Sequence, residues 1–363
     1  MNTKTNLFNV GKRMLDKRAN NPFYLICYVT NKCNLTCEHC FYSAELNNSQ
    51  KDELTLEEYE KISKNMGKVL FMSLTGGEPF LRRDVAQIAE LFCKNNGVRK
   101  LAIPTNGTFT KQVVEGVRYI LENCKNTSLD INISIDGIGK DHNDIRGQKD
   151  SFERATNTYK ALAELKKEFN KLGISILATV TSQNQDKMEE IQAYVKKEFP
   201  QAVFSVNLIR GTPKNPQISN VDIKKYENIA SRIINGYQSD KFNKNAPLAK
   251  ISASKNALRA DIISKTYKNN KFISQCYAAQ LSGVMYENGD VFPCELLDED
   301  KKIGNIRDFD YNFKKLWNSE KATEVIKYIK DTKCFCTHEC FWSTNILFNL
   351  KHYPKLLLES SKL

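Results

Sequence analysis

The chain has 363 residues, enough for one large α/β barrel or two domains, and its 41% apolar and 26% charged residues are typical of a globular protein. No stretch is apolar for long enough to cross a membrane, and the N-terminal residues lack the apolar core of a signal peptide. We therefore expect a cytoplasmic protein. The formal net charge of +12 comes mainly from lysine, whereas proteins that recognise phosphate groups specifically favour arginine. We therefore expect no nucleic-acid partner and at most a preference for acidic partners.

Eleven cysteines in such a chain indicate metal or redox chemistry rather than disulfides. The first predicted strand, residues 23–30, is followed by Cys33, Cys37 and Cys40 in a Cys-x-x-x-Cys-x-x-Cys loop. Three thiolates can bind three irons of a cubane cluster and leave the fourth iron open to a cofactor or substrate, whereas electron carriers usually have four cysteine ligands. A zinc-binding loop is the alternative. Structural zinc needs four ligands, and the only further ligand that this loop offers beside the three cysteines is His39. The loop therefore favours an open-cornered iron–sulfur cluster.

Strand-like and helix-like segments alternate from here to residue 208. Thr55 and Glu58 have the spacing of a capping box, which predicts the start of a helix. Further strands are predicted at residues 69–75, 100–104, 129–136, 174–181 and 202–208, and helices at 55–66, 84–95, up to about 123, 151–172 and 188–198. Six strand–helix units in a row predict a parallel sheet with helical crossovers, in which the loops after the strands carry the chemistry.

Two of these strands carry polar residues where a ligand would lie. Gly-Gly-Glu-Pro at residues 76–79 follows the second strand, where paired glycines let the backbone approach a ligand and Glu78 could contact an ammonium group. The strand at 129–136 alternates, which favours an open barrel around a polar ligand. Its polar face has four members, Asp130, Asn132, Ser134 and Asp136.

In these motifs the region from about residue 20 to residue 210 resembles the radical S-adenosylmethionine (radical SAM) superfamily. The likeness rests on the cysteine loop, on Gly-Gly-Glu-Pro, on Thr-Asn-Gly at 105–107, on Ser-Ile-Asp-Gly at 134–137 and on the run at 141–147. It implies an α/β fold, an open partial (β/α)6 TIM-like barrel, with a 4Fe–4S cluster on the three cysteines. It also implies that S-adenosylmethionine is bound by Gly76, Gly77, Glu78, Pro79, Asn106, Ser134, Asp136 and Arg146. Arg154 is an alternative to Arg146 as the partner of the methionine carboxylate.

A second cysteine region begins at Cys276. Cys276, Gly289 and Cys294 resemble the opening of the SPASM/Twitch iron–sulfur domains found behind many radical SAM barrels, and Gly289 suits a hairpin turn. With Cys334, Cys336 and Cys340 the region has five cysteines, which support one auxiliary 4Fe–4S cluster rather than the two of a full SPASM domain. By this likeness Cys276, Cys294 and Cys340 are ligands, and either Cys334 or Cys336 is the fourth. A structural zinc site is the alternative.

These boundaries divide the chain into four parts: a leader at 1–22, a barrel core at 23–215, a helical connection at 216–275 and an auxiliary-cluster domain with a C-terminal helix at 276–363. Cys27, Cys93 and Cys124 are expected to be plain cysteines without a ligand role. The apolar, aromatic tail is expected to pack against the barrel, with a peripheral membrane or partner surface as the alternative.

The resemblance also implies the reaction. A radical SAM enzyme cleaves S-adenosylmethionine reductively to a 5′-deoxyadenosyl radical that abstracts hydrogen from a substrate, with a donor such as flavodoxin or ferredoxin supplying the electron. The SPASM/Twitch group favours modification or oxidation of a peptide or protein. The alternatives are a dehydrogenase, epimerase or mutase of a small-molecule, sugar or lipid-linked substrate, and a non-catalytic iron–sulfur carrier or sensor. No catalytic acid, base or radical-quenching residue is identified from the sequence.

Overall fold

The structure is a computed structural model that describes residues 17, 20–48, 52–239 and 247–361. Most of the predicted leader, residues 1–22, lies outside this described part. No helix within these ranges is long and apolar enough to cross a membrane.

One sheet organises the molecule, and its nine strands within the described residues follow the order β6-β5-β4-β3-β2-β1-β7-β8-β9. The strands are β1 (Tyr24–Thr30), β2 (Phe71–Gly76), β3 (Lys100–Thr105), β4 (Ser128–Ser134), β5 (Leu172–Val180), β6 (Val203–Leu208), β7 (Ser282–Met285), β8 (Asp290–Phe292) and β9 (Gly304–Asn305). β1 to β6 pair in parallel, and β1 does not close onto β6. The predicted fold class, an α/β partial barrel, is confirmed.

Helical crossovers connect the parallel strands, as the alternating pattern predicts. The helices are α1 (Leu56–Asn65), α2 (Val85–Asn96), α3 (Thr110–Asn123), α4 (Lys140–Arg146), α5 (Ser151–Glu168), α6 (Met188–Glu198), α7 (Ile223–Ser239), α8 (Pro247–Asn269), α9 (Phe313–Trp317), α10 (Glu320–Asp331), α11 (Glu339–Leu347) and α12 (Tyr353–Ser361). The capping box of α1 is confirmed, since the Thr55 hydroxyl accepts the Glu58 N–H and the Glu58 carboxylate accepts the Thr55 N–H. The short helix α4 is additional to the predicted elements.

The alternation of β4 separates the core from the interior of the barrel. Leu129, Ile131 and Ile133 are fully buried in the apolar core, while Asn132 and Ser134 line the barrel cavity. The strand ends at Ser134, two residues earlier than predicted, so the alternation does not extend to residue 136. This early end decides where the next acidic side chain points.

The auxiliary region is built onto the same sheet. β7 pairs in parallel with β1, from Tyr24 opposite Ser282 to Cys27 opposite Met285, and β8 returns antiparallel to β7. The loop between β7 and β8 contains Gly289 at a φ of +90°, which confirms the predicted hairpin turn. The second cysteine region is therefore held beside the strand that carries the first.

The C-terminal tail forms two helices, α11 and α12, and both pack on α8. Helix α11 also lies against the barrel, where the Phe341 ring is 5.9 Å from the ring of Tyr24 in β1 and the Leu208 N–H of β6 lies 3.4 Å from Glu339 Oε1. Trp342 and Ile346 are buried, whereas Leu350, Leu357 and Leu358 are exposed.

Candidate functional site

A cavity of about 310 Å³ opens at the carboxyl ends of the barrel strands. Its walls are formed by the first cysteine loop, by the loops after β2, β3 and β6, and by residues of the auxiliary region. Its polar lining residues include Cys33, Cys37, Cys40, Glu78, Asn106, Asn132, Ser134, Arg146, Arg210, Glu295 and Cys340.

The first cysteine loop presents three sulfurs to this cavity. Leu35 N–H lies 3.4 Å from the Cys33 sulfur, and the Tyr42 N–H bonds the Cys40 sulfur in the same i+2 pattern. Burial raises the pKa of both thiols to about 11, so bound iron, rather than the protein alone, must stabilise the thiolates. Three neighbouring thiols with local N–H donors fit an iron–sulfur cluster with one open corner.

The paired glycines after β2 pack against this loop. A side-chain carbon on Gly76 would overlap the Thr30 carbonyl oxygen, and one on Gly77 would overlap that of Lys32. The N–H groups of Gly77 and Glu78 donate to the same two carbonyls, at 2.9 and 2.8 Å. Both glycines line the cavity, and their contact with a cofactor stays a prediction. The close approach that the structure shows is to the backbone of the cysteine loop.

Glu78 is 1% exposed, and its carboxylate connects its own loop after β2 with the end of β3 and the loop that follows it. Its Oε1 accepts the Thr105 hydroxyl at 2.8 Å and the Phe80 N–H, and its Oε2 accepts the Asn106 N–H at 2.7 Å. A carboxylate has about four acceptor positions, so one remains after these three hydrogen bonds. Burial raises the pKa of Glu78 to about 7, and the three donors counteract this only in part.

Of three other predicted cofactor residues, two line the cavity and one does not. Asn106 and Ser134 line the cavity, and the Asn106 amide is oriented by Asn34, whose Oδ1 accepts its Nδ2–H at 2.9 Å. Pro79 is not among the lining residues, and it begins a short 3₁₀ turn, Pro79–Leu81, that packs into the core. The chain turns away directly after Glu78, and the contact of Pro79 with the cofactor stays a prediction.

Asp136 also points elsewhere than predicted. It is fully buried outside the cavity lining, where its Oδ2 accepts Arg146 Nε at 2.6 Å and its Oδ1 accepts the Thr179 N–H at 2.7 Å. Because β4 ends at Ser134, the next turn rotates this carboxylate toward α4. Asp136 thus orients Arg146 and has no direct place in the cavity.

Arg146 connects this carboxylate with the cysteine loop. Its Nη1 lies 3.7 Å from the Cys37 sulfur, and its guanidinium lines the cavity. Arg154, the alternative partner for the methionine carboxylate, is exposed on α5 and pairs with Asp150 at 2.6 Å. The structure therefore leaves Arg146 as the residue of the two that can reach a bound cofactor.

A polar cluster around Glu295 also lines the cavity. Arg210 Nη2 lies 3.3 Å from Glu295 Oε2, and the Tyr28 hydroxyl donates to Glu295 Oε1 at 2.6 Å. His338 is also paired with Glu295. Burial raises the pKa of Glu295, but His338 and Arg210 outweigh this and hold it at about 2, so the carboxylate is ionised. Sequence analysis did not select Glu295 or His338; each lies within two residues of a candidate cysteine, which is the only local signal.

The second cysteine set surrounds a separate, smaller cavity. Four of the five cysteines line it, together with Phe335, Trp342 and other apolar residues: Cys276, Cys294, Cys334 and Cys336. The Cys276, Cys294 and Cys336 sulfurs each accept a backbone N–H from two residues later, from Ala278, Leu296 and His338. This repeats the pattern in the first loop and fits a second cluster with four cysteine ligands.

Cys340 stands apart from these four. It lines the large cavity, and its sulfur is hydrogen-bonded by the His338 imidazole rather than by a local backbone N–H. Cys276, Cys294, Cys334 and Cys336 thus line the small cavity and Cys340 lines the large one, and the choice of the four ligands among these five cysteines stays a prediction. In the described ranges no group of three or more His, Cys, Asp or Glu side chains is arranged to hold a single metal ion.

Comparison with known protein families identifies this arrangement. Residues 27–195 match the radical SAM superfamily, and residues 276–341 match SPASM, an iron–sulfur cluster-binding domain. The chain belongs to the radical SAM superfamily. The two matches together cover more than half of its residues and confirm the expected family, the C-terminal iron–sulfur domain and the cofactors, 4Fe–4S clusters and S-adenosylmethionine.

Three similar proteins illustrate the range of this radical SAM family. The chain is 34% identical over 175 residues, 45% of its length, to GTP 3′,8-cyclase of Haemophilus influenzae. It is 23% identical over 306 residues, 82% of its length, to the antilisterial bacteriocin subtilosin biosynthesis protein AlbA of Bacillus subtilis. These matches span 51% and 60% of the two relatives, so the chain covers only about half to three fifths of their length. Streptococcus suis SuiB bound to S-adenosylmethionine shares the fold, with a TM-score of 0.63 at 17% identity over 96% of this chain and 79% of that one.

Proposed function

We propose that this chain is a radical SAM enzyme that modifies a peptide or protein. The observation that carries the proposal is one cavity whose lining includes both the cysteine loop with Glu78 and the Arg210–Glu295 pair. A cofactor held by the loop and Glu78 would leave Arg210 and Glu295 to contact a substrate. An iron–sulfur carrier or sensor has no need of such a cavity.

The substrate class rests on the relatives. AlbA is named for the biosynthesis of a bacteriocin, and its similarity extends over 82% of this chain. GTP 3′,8-cyclase is more identical but matches less than half of the chain, so it supports the barrel chemistry more than the substrate. A small-molecule, sugar or lipid-linked substrate is therefore the second candidate.

The residues of the cavity divide the work. When bound, the cluster and S-adenosylmethionine supply a radical that abstracts hydrogen. Cys33, Cys37 and Cys40 hold the iron, and Glu78 binds the methionine ammonium through its remaining acceptor position. Asn106, Ser134 and Arg146 orient the rest of the cofactor, while Arg210 and Glu295 orient polar groups of the substrate. The described cysteines are all free, which agrees with a reducing, cytoplasmic location. A flavodoxin or ferredoxin would supply electrons, and the formal charge of +12 suits such acidic donors.

The test uses the anaerobically reconstituted chain with S-adenosylmethionine and dithionite. We expect about eight irons per chain, two cubanes, and release of 5′-deoxyadenosine. Candidate precursor peptides encoded beside its gene are then added and examined by mass spectrometry. Absence of 5′-deoxyadenosine would refute the enzyme assignment. Cleavage with no mass change in any peptide, but turnover of a nucleotide, sugar or lipid-linked compound, would refute the peptide assignment alone.

Glu78 gives this function a pH dependence. Its pKa is raised to about 7, and an ammonium group binds the carboxylate rather than the carboxylic acid. Below pH 7 binding must first remove a proton, so we expect the affinity for S-adenosylmethionine to fall about tenfold for each further pH unit. Calorimetry from pH 5.5 to 7.5, in buffers of different ionisation enthalpy, measures both the affinity and the released proton.

Glu78→Gln is the matched variant for this experiment. It should bind about 10–100-fold more weakly at pH 7.5, since one charge-assisted hydrogen bond is lost, and it should show no pH dependence below 7. Glu153→Gln, an exposed change on α5, serves as the control. A wild-type affinity that is constant from pH 5.5 to 7 would contradict the role of Glu78.

A further inference from the structure

We propose that Cys93 and Cys124 form a reversible dithiol–disulfide site that reacts with low-molecular-weight disulfides such as oxidised glutathione. Neither cysteine lines the large cavity or the small one. The sequence predicts two plain cysteines, because they lie far apart in the chain and share no motif. The site does not depend on the proposed function, since it uses no cluster, no S-adenosylmethionine and no substrate.

The fold brings these two cysteines together. Cys93 lies in the last turn of α2, and Cys124 directly follows α3, the helix that packs beside α2. Their side chains are close enough to share a hydrogen bond, in which the Cys124 S–H donates to the Cys93 sulfur. A disulfide forms without backbone movement only where two cysteine side chains already face each other. The contact between the two thiols therefore supplies the geometry that a disulfide needs.

Hydrogen bonds on both sides of the pair hold α2 and α3 in this arrangement. Before the cysteines, the Tyr119 hydroxyl of α3 donates to Glu90 Oε2 of α2 at 2.5 Å. After them, the Thr127 hydroxyl donates to the Val98 carbonyl at 2.7 Å. Because the two helices are joined both before and after the cysteines, the thiols stay opposite each other.

The two thiols differ in exposure and in reactivity. Cys93 is half-buried, whereas Cys124 is only 5% exposed. The hydrogen bond between them lowers the pKa of Cys93 and raises that of Cys124, since the Cys124 S–H stabilises a thiolate on Cys93. The thiolate is the nucleophile in thiol–disulfide exchange. Cys93 is therefore the attacking residue, and Cys124 is the residue that completes the exchange.

The proposed reaction takes place in two balanced steps. The Cys93 thiolate attacks one sulfur of oxidised glutathione, which breaks the glutathione S–S bond, forms a mixed disulfide and releases one glutathione thiolate. The Cys124 sulfur then attacks the Cys93 sulfur, forms the S–S bond within the protein and releases the second glutathione. The two protons of the protein thiols pass to the two glutathione thiolates. The dithiol is thus oxidised by two electrons and oxidised glutathione is reduced by two, and an excess of dithiothreitol reverses both steps.

Peptide mapping of the cluster-loaded wild type tests the pair directly. The protein is treated anaerobically with oxidised glutathione, quenched with N-ethylmaleimide and digested with trypsin, which releases peptides 84–94 and 119–125 with one cysteine each. We expect these two peptides to be joined by a disulfide that dithiothreitol separates. Cys27, a fully buried free thiol, is the internal control and should stay reduced. Absence of the joined peptides would overturn the proposal.

Two variants test the roles of the thiols. Cys124→Ser should stop after the first step and carry one glutathione on Cys93, whereas Cys93→Ser should carry none on Cys124, because that thiol is buried. The pair lies where α2 and α3 end, at the edge of the sheet opposite the cavity, so both variants should keep the iron content of the wild type. Equal modification of Cys93 in Cys124→Ser and of Cys124 in Cys93→Ser would overturn the assigned order of attack.

Discussion

Replacing Cys37 by alanine is expected to abolish cleavage of S-adenosylmethionine completely and to remove one of the two clusters. Cys37 is the middle cysteine of the first loop, is buried, and lies 3.7 Å from the Arg146 Nη1. Its loss leaves two thiols, which cannot hold three irons of a cubane, so the corner that binds the cofactor is not formed. Iron and sulfide analysis, together with the yield of 5′-deoxyadenosine, measures both effects.

A matched control separates this loss from general damage. Cys93 is a half-buried free thiol on α2, away from both cysteine sets, and Cys93→Ala should keep the full iron content and the full cleavage rate. The assignment of the first loop would be wrong if Cys37→Ala still contained two clusters, or if Cys93→Ala lost as much iron.

The sequence predicts the features that depend on local chemistry. The capping box of α1, the hairpin at Gly289 and the alternation of strands and helices follow from residue spacing and periodicity, which are local properties. The cysteine loop can also be recognised in the sequence, because an open-cornered cluster needs three thiols at close spacing. Glu78 can be recognised because it belongs to the Gly-Gly-Glu-Pro motif. These elements of the fold and the site are found where the pattern placed them.

Orientation after a strand end is less accessible to sequence reasoning. Continuing the alternation of β4 places Asp136 in the cavity, but the strand stops at Ser134 and the turn rotates the carboxylate toward Arg146. Spacing likewise does not reveal that Cys340 lines the large cavity, since this depends on where α11 begins. The paired glycines are recognised correctly, but what they approach depends on tertiary packing of the cysteine loop.

The buried pair of Asp136 and Arg146 carries the second large prediction, on stability. Asp136→Asn should lower the free energy of unfolding by about 3–5 kcal/mol, because Arg146 would remain charged and buried without its partner. The asparagine also replaces one of the oxygens that accept Arg146 Nε and the Thr179 N–H. Urea unfolding of the reconstituted protein, followed by circular dichroism under anaerobic conditions, measures the change at pH 7.

The same pair predicts the pH dependence of that loss and its control. Burial raises the pKa of Asp136, but Arg146 outweighs it and keeps this pKa below its usual range, so the carboxylate stabilises the fold above about pH 4. As the pH falls through the folded-state pKa, wild type loses this contribution, and its difference from Asp136→Asn should shrink. Asp150→Asn is the matched control, since Asp150 pairs with Arg154 at the surface, where ion pairs contribute little. Equal losses in the two variants at pH 7 would show that Asp136 does not hold Arg146 against the cysteine loop.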